Sequence, residues 1–311
     1  MHLKRLERNH LMTEYREIAT PVRTAEILSK YDLSAKKSLG QNFIVDTNIL
    51  GKIVKAGKVT KKTTVIEVGP GIGALTEQLA KKAKKVIAFE IDDRLIPVLD
   101  DTLSAYKNIE IIHSDVLKVD LKAFEADYLS EAEEVVLVAN LPYYITTPII
   151  MRFLEAGMHI DRMIMMMQKE VASRISASPS TKAYGSLSIA VQYYMDAEIA
   201  FTVPKTVFMP QPNVESAIIK LTEKSTRLTD LKDEPLFFRL VRSAFVQRRK
   251  TLWNNLTSVL GKDEHTKEII AKALEQAEID PKRRGETLDI DEFARLANAL
   301  SDLNLVFEDK K

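Results

Sequence analysis

From Thr64 onward, short runs of β-branched and other apolar residues alternate with longer segments of helical periodicity along this 311-residue chain. Strands buried on both faces are typically such short apolar runs, whereas an amphipathic helix repeats its apolar positions about every 3.6 residues. The pattern therefore predicts an α/β fold around a largely parallel sheet. The predicted strands are Thr64–Val68, Lys85–Glu90, Ile109–His113, Glu134–Ala139, Met163–Gln168, Val191–Phe201 and Glu215–Leu221.

The segments between these strands carry residues that favour helix ends. Thr20 is a predicted N-cap with Pro21 at the first helical position, and Thr147 and Pro148 repeat this arrangement before a helix that ends at Glu155. Seven strands with a late hairpin fit a Rossmann-like methyltransferase sheet better than a six-stranded dinucleotide domain. The other predicted helices of this region are Ala74–Ala83 and Asp93–Leu103.

A polar, weakly patterned segment, Lys224–Pro235, is the predicted domain boundary. Helical periodicity beyond it predicts a small all-α module. The first eleven residues are predicted to be dispensable, because Met12 would make a natural start. We expect an N-terminal extension and helix (1–35), an α/β domain (36–223) and a helical domain (236–308), the last built from Leu236–Val246, Arg249–Leu260, Thr266–Ala277 and Ile290–Leu303.

Composition excludes several classes of chemistry. The chain has no Cys, which rules out disulfides, thiolate metal sites and cysteine nucleophiles and favours a cytoplasmic location. Its five His residues show no metal-ligand spacing, so no metal is expected. The charged N-terminal segment does not resemble a signal peptide, and no apolar run is long enough for a membrane span. The net charge is only +1, but local cationic clusters permit a basic face.

A glycine-rich segment, Glu67–Ala74, lies between the first predicted strand and the helix that follows. Its three glycines, Gly69, Gly71 and Gly73, would let the backbone approach a ligand closely. The same spacing also satisfies the dinucleotide fingerprint. The segment therefore leaves open a choice between a nicotinamide cofactor and S-adenosylmethionine.

Two carboxylates are placed to extend this site along the sheet edge. Glu90 ends the second strand, where it could accept hydrogen bonds from both ribose hydroxyls of either cofactor. Asp115 follows the third strand and could accept from an adenine amino group. The alternatives are a helix-end charge for Glu90, a role that Asp92 or Asp93 could fill instead, and a solvated loop acid for Asp115.

Asn140–Tyr143 follows a buried strand and combines groups suited to an exocyclic amine. The Asn140 side chain and the Leu141 carbonyl each offer an acceptor, and Pro142 fixes the turn. The ring of Tyr143 offers a stacking face for a base, and Phe208, in a Pro-rich loop, could supply the opposite face. The simpler alternative is a strand-ending turn with packed aromatic residues.

Taken in order, these motifs resemble the rRNA adenine N6,N6-dimethyltransferase family, most closely its bacterial small-subunit branch. The resemblance runs from about Lys36 to Thr287 and departs from the usual pattern at His113–Asp115, where the family usually has Gly before the Asp. The matching motifs are Lys37–Phe43, Glu67–Thr76, Phe89–Asp92, Ser114–Asp115, Asn140–Tyr143, Gln168–Ala172, Phe208–Ser216 and Phe245–Leu252.

The resemblance implies S-adenosylmethionine as methyl donor and two adjacent adenines in the 3′-terminal hairpin loop of 16S rRNA as target. It makes residues 36–223 the methyltransferase domain of a monomeric enzyme. It implies that Asn42 and Ile44 contact the cofactor, which spacing alone could not have shown. The other cofactor residues expected are Gly69, Gly71, Glu90, Asp115 and Asn140; the expected catalytic residues are Asn140, Leu141, Pro142, Tyr143 and Phe208.

The expected rRNA contacts are two cationic clusters: the first is Arg248–Lys250 and the second is Lys282–Arg284. Phe245 and Trp253 are expected to anchor the helices that flank the first cluster. At most two cations of the first cluster are expected to share one surface. Three alternatives remain open: an NAD(P)-dependent oxidoreductase, a non-catalytic ribosome-binding protein on the same fold, and the antibiotic-resistance branch that acts on large-subunit rRNA. The expected RNA-binding residues are Arg248, Arg249, Lys250, Arg283 and Arg284, with Lys282 beside them.

Overall fold

The structure is a computed structural model that describes residues 17–33, 42–141, 143–224 and 230–304. The expectations for residues 1–11, for most of the Lys37–Phe43 motif and for Pro142 lie outside these ranges. The described residues divide into two compact units. The first runs up to Ala172 and resumes at Glu198–Glu223; the second contains Ser173–Ala197 and the residues from Lys224 onward.

A seven-stranded sheet forms the centre of the first unit, as the sequence predicts. The strand order is β4-β3-β2-β5-β6-β9-β7; the pairs from β4 to β6 are parallel, whereas β9 is antiparallel to β6. A separate two-stranded pairing joins β1 to β8. The strands are β1 Phe43–Ile44, β2 Thr63–Val68, β3 Lys85–Glu90, β4 Ile109–His113, β5 Glu134–Asn140, β6 Arg162–Gln168, β7 Met195–Val203, β8 Phe208–Met209 and β9 Ser216–Glu223.

The helices of the first unit cover an apolar sheet. All six residues of β2 are buried, as expected of a central parallel strand. The first helix begins at Pro21, and the Thr20 side chain accepts a hydrogen bond from the Arg23 N–H as predicted. These helices are α1 Pro21–Lys30, α2 Thr47–Ala56, α3 Ala74–Lys82, α4 Ile96–Thr102 (after a 3-10 turn at Asp93–Leu95), α5 Leu121–Tyr128, α6 Tyr143–Glu155 and α7 Lys169–Ile175, the last of which extends past the division.

Two local predictions in this region were wrong. Helix α6 begins at Tyr143 and contains Pro148, whereas the sequence suggested a start at Pro148. The strand expected at Val191–Phe201 begins only at Met195, because Ser186–Tyr194 forms a helix. That helix is stabilised at its start by the Ser188 hydroxyl, which accepts from the Gly185 N–H at 3.0 Å.

The second unit is helical and has its own core. Residues Ser173–Ala197 belong to it, although the sequence assigned them to the α/β domain; the reason is that Tyr184 and Ile189 are buried among the C-terminal helices. The Tyr184 hydroxyl donates to the Leu288 carbonyl at 3.0 Å. Its helices are α8 Ser186–Tyr194, α9 Glu234–Ala244, α10 Leu252–Leu260, α11 Glu264–Gln276 and α12 Ile290–Asp302. No described helix is long and apolar enough to cross a membrane.

Candidate active site

A pocket opens in the first unit where the parallel strands β2, β3 and β5 end. Ligands of open α/β sheets bind at this edge, since the loops after neighbouring strands meet there. The lining contains nine of the residues that the sequence singled out: Asn42, Ile44, Gly69, Gly71, Glu90, Asn140, Leu141, Tyr143 and Phe208.

The glycine segment forms the turn between β2 and α3 and requires its glycines. Gly69, Gly71 and Gly73 have φ values of +73°, +61° and +90°, a region in which a side chain is strained. A Cβ at Gly69 would also lie 2.7 Å from Cδ2 of Leu141. The positive φ therefore favours glycine at this turn, and the Leu141 side chain after β5 packs directly against it.

Glu90 is buried at the end of β3 and shapes the same turn. Its Oε1 accepts from the backbone N–H groups of Ile91 and Asp92, both at 2.8 Å, and its Oε2 accepts from Gly71 at 3.4 Å. Burial raises the pKa of its carboxyl, while these three N–H groups oppose the shift. The alternative helix-capping role belongs to Asp92, whose side chain accepts from the Arg94 N–H.

Glu67 is a lining residue to which the sequence assigned no role of its own. It is 1% exposed, and its Oε2 has no hydrogen-bond partner among the described residues. Burial raises the pKa of its carboxyl to about 8; the Thr76 hydroxyl opposes this shift and the charge of Glu90 adds to it. An acidic residue inside the predicted strand Thr64–Val68, whose other residues are apolar or Thr, was the available signal.

The segment after β5 presents its polar groups at the rim of the pocket. Within the described ranges, the Asn140 side chain makes no hydrogen bond, so its amide can accept from a ligand. The Tyr143 hydroxyl lies 2.8 Å from the Ser216 hydroxyl. Phe208 reaches the pocket through the β1–β8 pairing, in which Ile44 lies opposite it.

Asp115 does not line the pocket, unlike the other described residues of the predicted site. It follows β4, its Oδ1 accepts from the Leu117 N–H at 3.1 Å, and its Oδ2 lies 3.6 Å from Lys118 Nζ. The predicted contact between Asp115 and an adenine stays a prediction.

Two exposed lining residues were also missed by the sequence reading. Tyr144 is 64% exposed and Ile91 is 58% exposed, although both are large and apolar. Each directly follows a residue that was identified, Tyr143 and Glu90, and that adjacency was the only signal.

The predicted RNA-binding cations lie in the second unit and fall into two groups. Arg248 donates to Glu286 Oε2 from Nε at 3.0 Å and to the Lys182 carbonyl at 2.8 Å, and Arg283 forms a bidentate pair with Glu292. The other cations are exposed and make no ion pair within the described parts of the chain: Arg249, Lys250, Lys282 and Arg284.

The sheet order, the glycine turn and the pocket define a class I, Rossmann-like methyltransferase. The model of the family described as "Ribosomal RNA adenine dimethylase" matches residues 32–296. The chain belongs to this family.

Sequence similarity to curated relatives extends over nearly the whole chain. It is 61% identical over 289 residues to "Ribosomal RNA small subunit methyltransferase A" of Enterococcus faecalis, covering 93% of this chain and 98% of that protein. The protein of the same name from Geobacillus thermodenitrificans is 60% identical, covering 93% and 99%.

Solved structures of related enzymes share the fold. A dimethyladenosine transferase from Plasmodium falciparum has a TM-score of 0.73 and 27% identity, covering 85% of this chain and 99% of that one. The 23S rRNA methyltransferase ErmE has a TM-score of 0.61 and 25% identity, covering 83% and 99%. The expected fold class is therefore confirmed.

Proposed function

We propose that this protein transfers methyl groups from S-adenosylmethionine to N6 of two adjacent adenines in the 3′-terminal hairpin loop of 16S rRNA, during maturation of the small ribosomal subunit. The observation that carries the proposal is the meeting of Gly69 and Leu141. There the glycine turn meets a segment whose Asn140 side chain makes no hydrogen bond with the described residues, at the edge of one pocket. The proposed cofactor site and the proposed site for the target amine are therefore adjacent in one pocket.

The residues present fit S-adenosylmethionine. When bound, this cofactor supplies an electrophilic methyl group on a sulfonium. Glu90 would accept from ribose hydroxyls, and the Glu67 carboxyl, whose Oε2 has no hydrogen-bond partner among the described residues, would offer a further polar group to the ligand. The N-terminus of α3 carries no side-chain cap, so its N–H groups can receive a carboxylate. Nothing in this set favours a nicotinamide.

The target adenine would be held by the segment after β5. Its amino group would donate one hydrogen to the Asn140 side-chain carbonyl and the other to the Leu141 carbonyl, which orients the nitrogen lone pair towards the donor. Tyr143 and Phe208 would stack on the faces of the extruded base. No strong general base is required if the proton leaves after methylation. Alignment and desolvation would then supply most of the rate enhancement.

Sequence similarity supports the small subunit or its precursor as the partner. Identity is 61% to the small-subunit enzyme of Enterococcus faecalis but 25% to the 23S rRNA methyltransferase. We infer that the enzyme acts in the cytoplasm, because bacterial ribosomal subunits mature there. We also propose that the enzyme acts as a monomer, as the resemblance implies.

The test is transfer of labelled methyl groups to unmethylated small and large subunits. The wild-type protein should label only the small subunit, at N6 of two adjacent adenines. Asn140→Ala should lose methyl transfer while keeping the wild-type unfolding midpoint. Val22→Ala, which changes an exposed residue on α1 outside the pocket, is the matched control. Labelling of large subunits alone, or near-normal turnover of Asn140→Ala, would refute the proposal.

A further inference from the structure

The rim of the pocket carries an aromatic ring that the proposed chemistry does not use. Tyr144 lies in the first turn of α6, directly after Tyr143, and is 64% exposed. Among the large apolar residues that are exposed in the described ranges, only Tyr144 and Ile91 line the pocket. Ile91 follows Glu90 on the cofactor side. Tyr144 is therefore the exposed ring on the side of the proposed target.

The two neighbouring tyrosines differ in their surroundings. The Tyr143 hydroxyl is held by Ser216, which orients the ring. The Tyr144 side chain makes no hydrogen bond, ion pair or ring contact with the described residues. Successive side chains on a helix point about 100° apart, so the two rings cannot present the same face to one ligand. Each ring can instead serve a different group.

Extrusion of a base from the RNA removes stacking from the nucleotide beside it. When the target adenine leaves its stack, the nucleotide next to it loses a stacking partner, which costs free energy. An exposed aromatic ring beside the pocket can replace that partner whatever the base, because every base has a π-face. Tyr144 is such a ring, because it is exposed, lines the pocket and directly follows Tyr143, the proposed contact of the target base.

We propose that Tyr144 is the stacking platform for the unpaired nucleotide adjacent to the target adenine. This inference rests on the proposed function and adds a second base-binding position to the same site. With two adjacent adenines as targets, Tyr144 holds one of them while the other occupies the pocket. Loss of the platform should therefore weaken RNA binding and reduce the fraction of RNA methylated on both adenines.

The experiment compares Tyr144→Ala and Tyr144→Phe with a control variant, Val22→Ala. The control shortens an exposed apolar side chain on α1 that does not line the pocket. Steady-state methylation of unmethylated small subunits gives KM and kcat, and mass spectrometry of the RNA gives the ratio of singly to doubly modified loops. Calorimetric titration with S-adenosylhomocysteine checks that the cofactor site is intact.

Tyr144→Ala should raise KM for the subunit by about 5- to 150-fold, with unchanged kcat at saturation and unchanged cofactor affinity. Tyr144→Phe should behave like the wild-type protein, because the ring and not the hydroxyl does the stacking. An unchanged KM for Tyr144→Ala, or equal defects in both variants, would overturn the stacking role while leaving the proposed function intact. A wild-type protein that is inactive on small subunits would overturn the proposed function itself.

Discussion

The hydroxyl of Tyr143 lies 2.8 Å from the hydroxyl of Ser216. Ser216 is fully buried at the start of β9, opposite Gln168 on β6, whereas Tyr143 lies in the first turn of α6 and is partly exposed at the pocket. The hydrogen bond thus fixes the ring of the proposed stacking residue to β9, the strand that pairs antiparallel with β6. The ring is oriented before any ligand binds.

This contact changes what is expected of Tyr143→Phe, for which stacking alone predicts a mild effect. The substitution leaves the Ser216 hydroxyl buried without a partner, which should lower the free energy of unfolding by about 1–3 kcal/mol. Ser216→Ala should be milder, because the Tyr143 hydroxyl can still reach water. Urea unfolding of both single variants and the double variant gives the coupling energy. Strict additivity would show that the hydrogen bond contributes nothing to stability.

Glu90 should set cofactor affinity. Glu90→Ala should weaken binding of S-adenosylmethionine by about 1.5–3 kcal/mol, because it removes a charged acceptor from the pocket. Part of the loss would arise from the turn, since Glu90 also accepts from the Gly71 N–H. Asp93→Asn, an exposed carboxylate nearby, is the control for calorimetry. An unchanged dissociation constant would remove Glu90 from the site.

The elements that the sequence predicted well are those whose signal is local. The bounds of β3 and β4 agree with the apolar runs, and the Thr20 cap follows from two adjacent residues. The start of α6 was missed because a proline was taken as a helix beginning. Pro148 instead lies inside the helix, where it removes only the bond to the carbonyl of residue 144, near the end of α6 at the pocket.

The parts that the sequence could not predict depend on distant contacts. The pairing of Phe43 with Met209 joins segments far apart along the chain, and it brings Phe208 to the pocket. Helix α8 contains the β-branched and aromatic residues of a strand, but burial in the helical core overrides that preference. The pairing of Arg248 with Glu286 likewise needs the folded chain, so the sequence treated the whole cluster as available.

Glu67 should make stability depend on pH. Its folded-state pKa of about 8, against an ordinary value near 4.5, means that the folded protein keeps a proton that the unfolded chain has released. The free energy of unfolding should therefore fall as the pH rises from 4.5 to 8, by at most about 1.4 kcal/mol per pH unit. The Gln side chain of Glu67→Gln does not titrate, so this variant is spared the loss. Its free energy of unfolding, measured relative to that of the wild-type protein, should therefore rise between pH 4.5 and 8.

Thermal unfolding of the wild-type protein and Glu67→Gln at several pH values between 5 and 8 measures the difference. Asp93→Asn, which changes an exposed carboxylate, should show a difference that does not vary with pH in this way. A constant offset between Glu67→Gln and the wild-type protein would mean that Glu67 is ionised throughout.

The last prediction concerns which cations of the second unit contact RNA. Arg248 and Arg283 are engaged by Glu286 and Glu292, so binding a phosphate would require them to leave a carboxylate. Burial of the neighbouring Leu252 holds the start of α10 in place beside the first cluster. The exposed cations have no competing carboxylate among the described residues, so a phosphate can bind them without breaking a described ion pair: Arg249, Lys250, Lys282 and Arg284.

We therefore expect Arg249→Gln with Lys250→Gln to weaken binding of small-subunit rRNA and to lower the salt slope by about one unit per lost phosphate contact. Affinity for S-adenosylmethionine should not change, because neither residue lines the pocket. Lys272→Gln, an exposed cation on α11 outside the cluster, is the matched control and should keep the wild-type slope. If the double variant also keeps that slope while Arg248→Gln lowers it, the paired arginine exchanges its carboxylate for phosphate, and the assignment of the RNA contacts must be reversed.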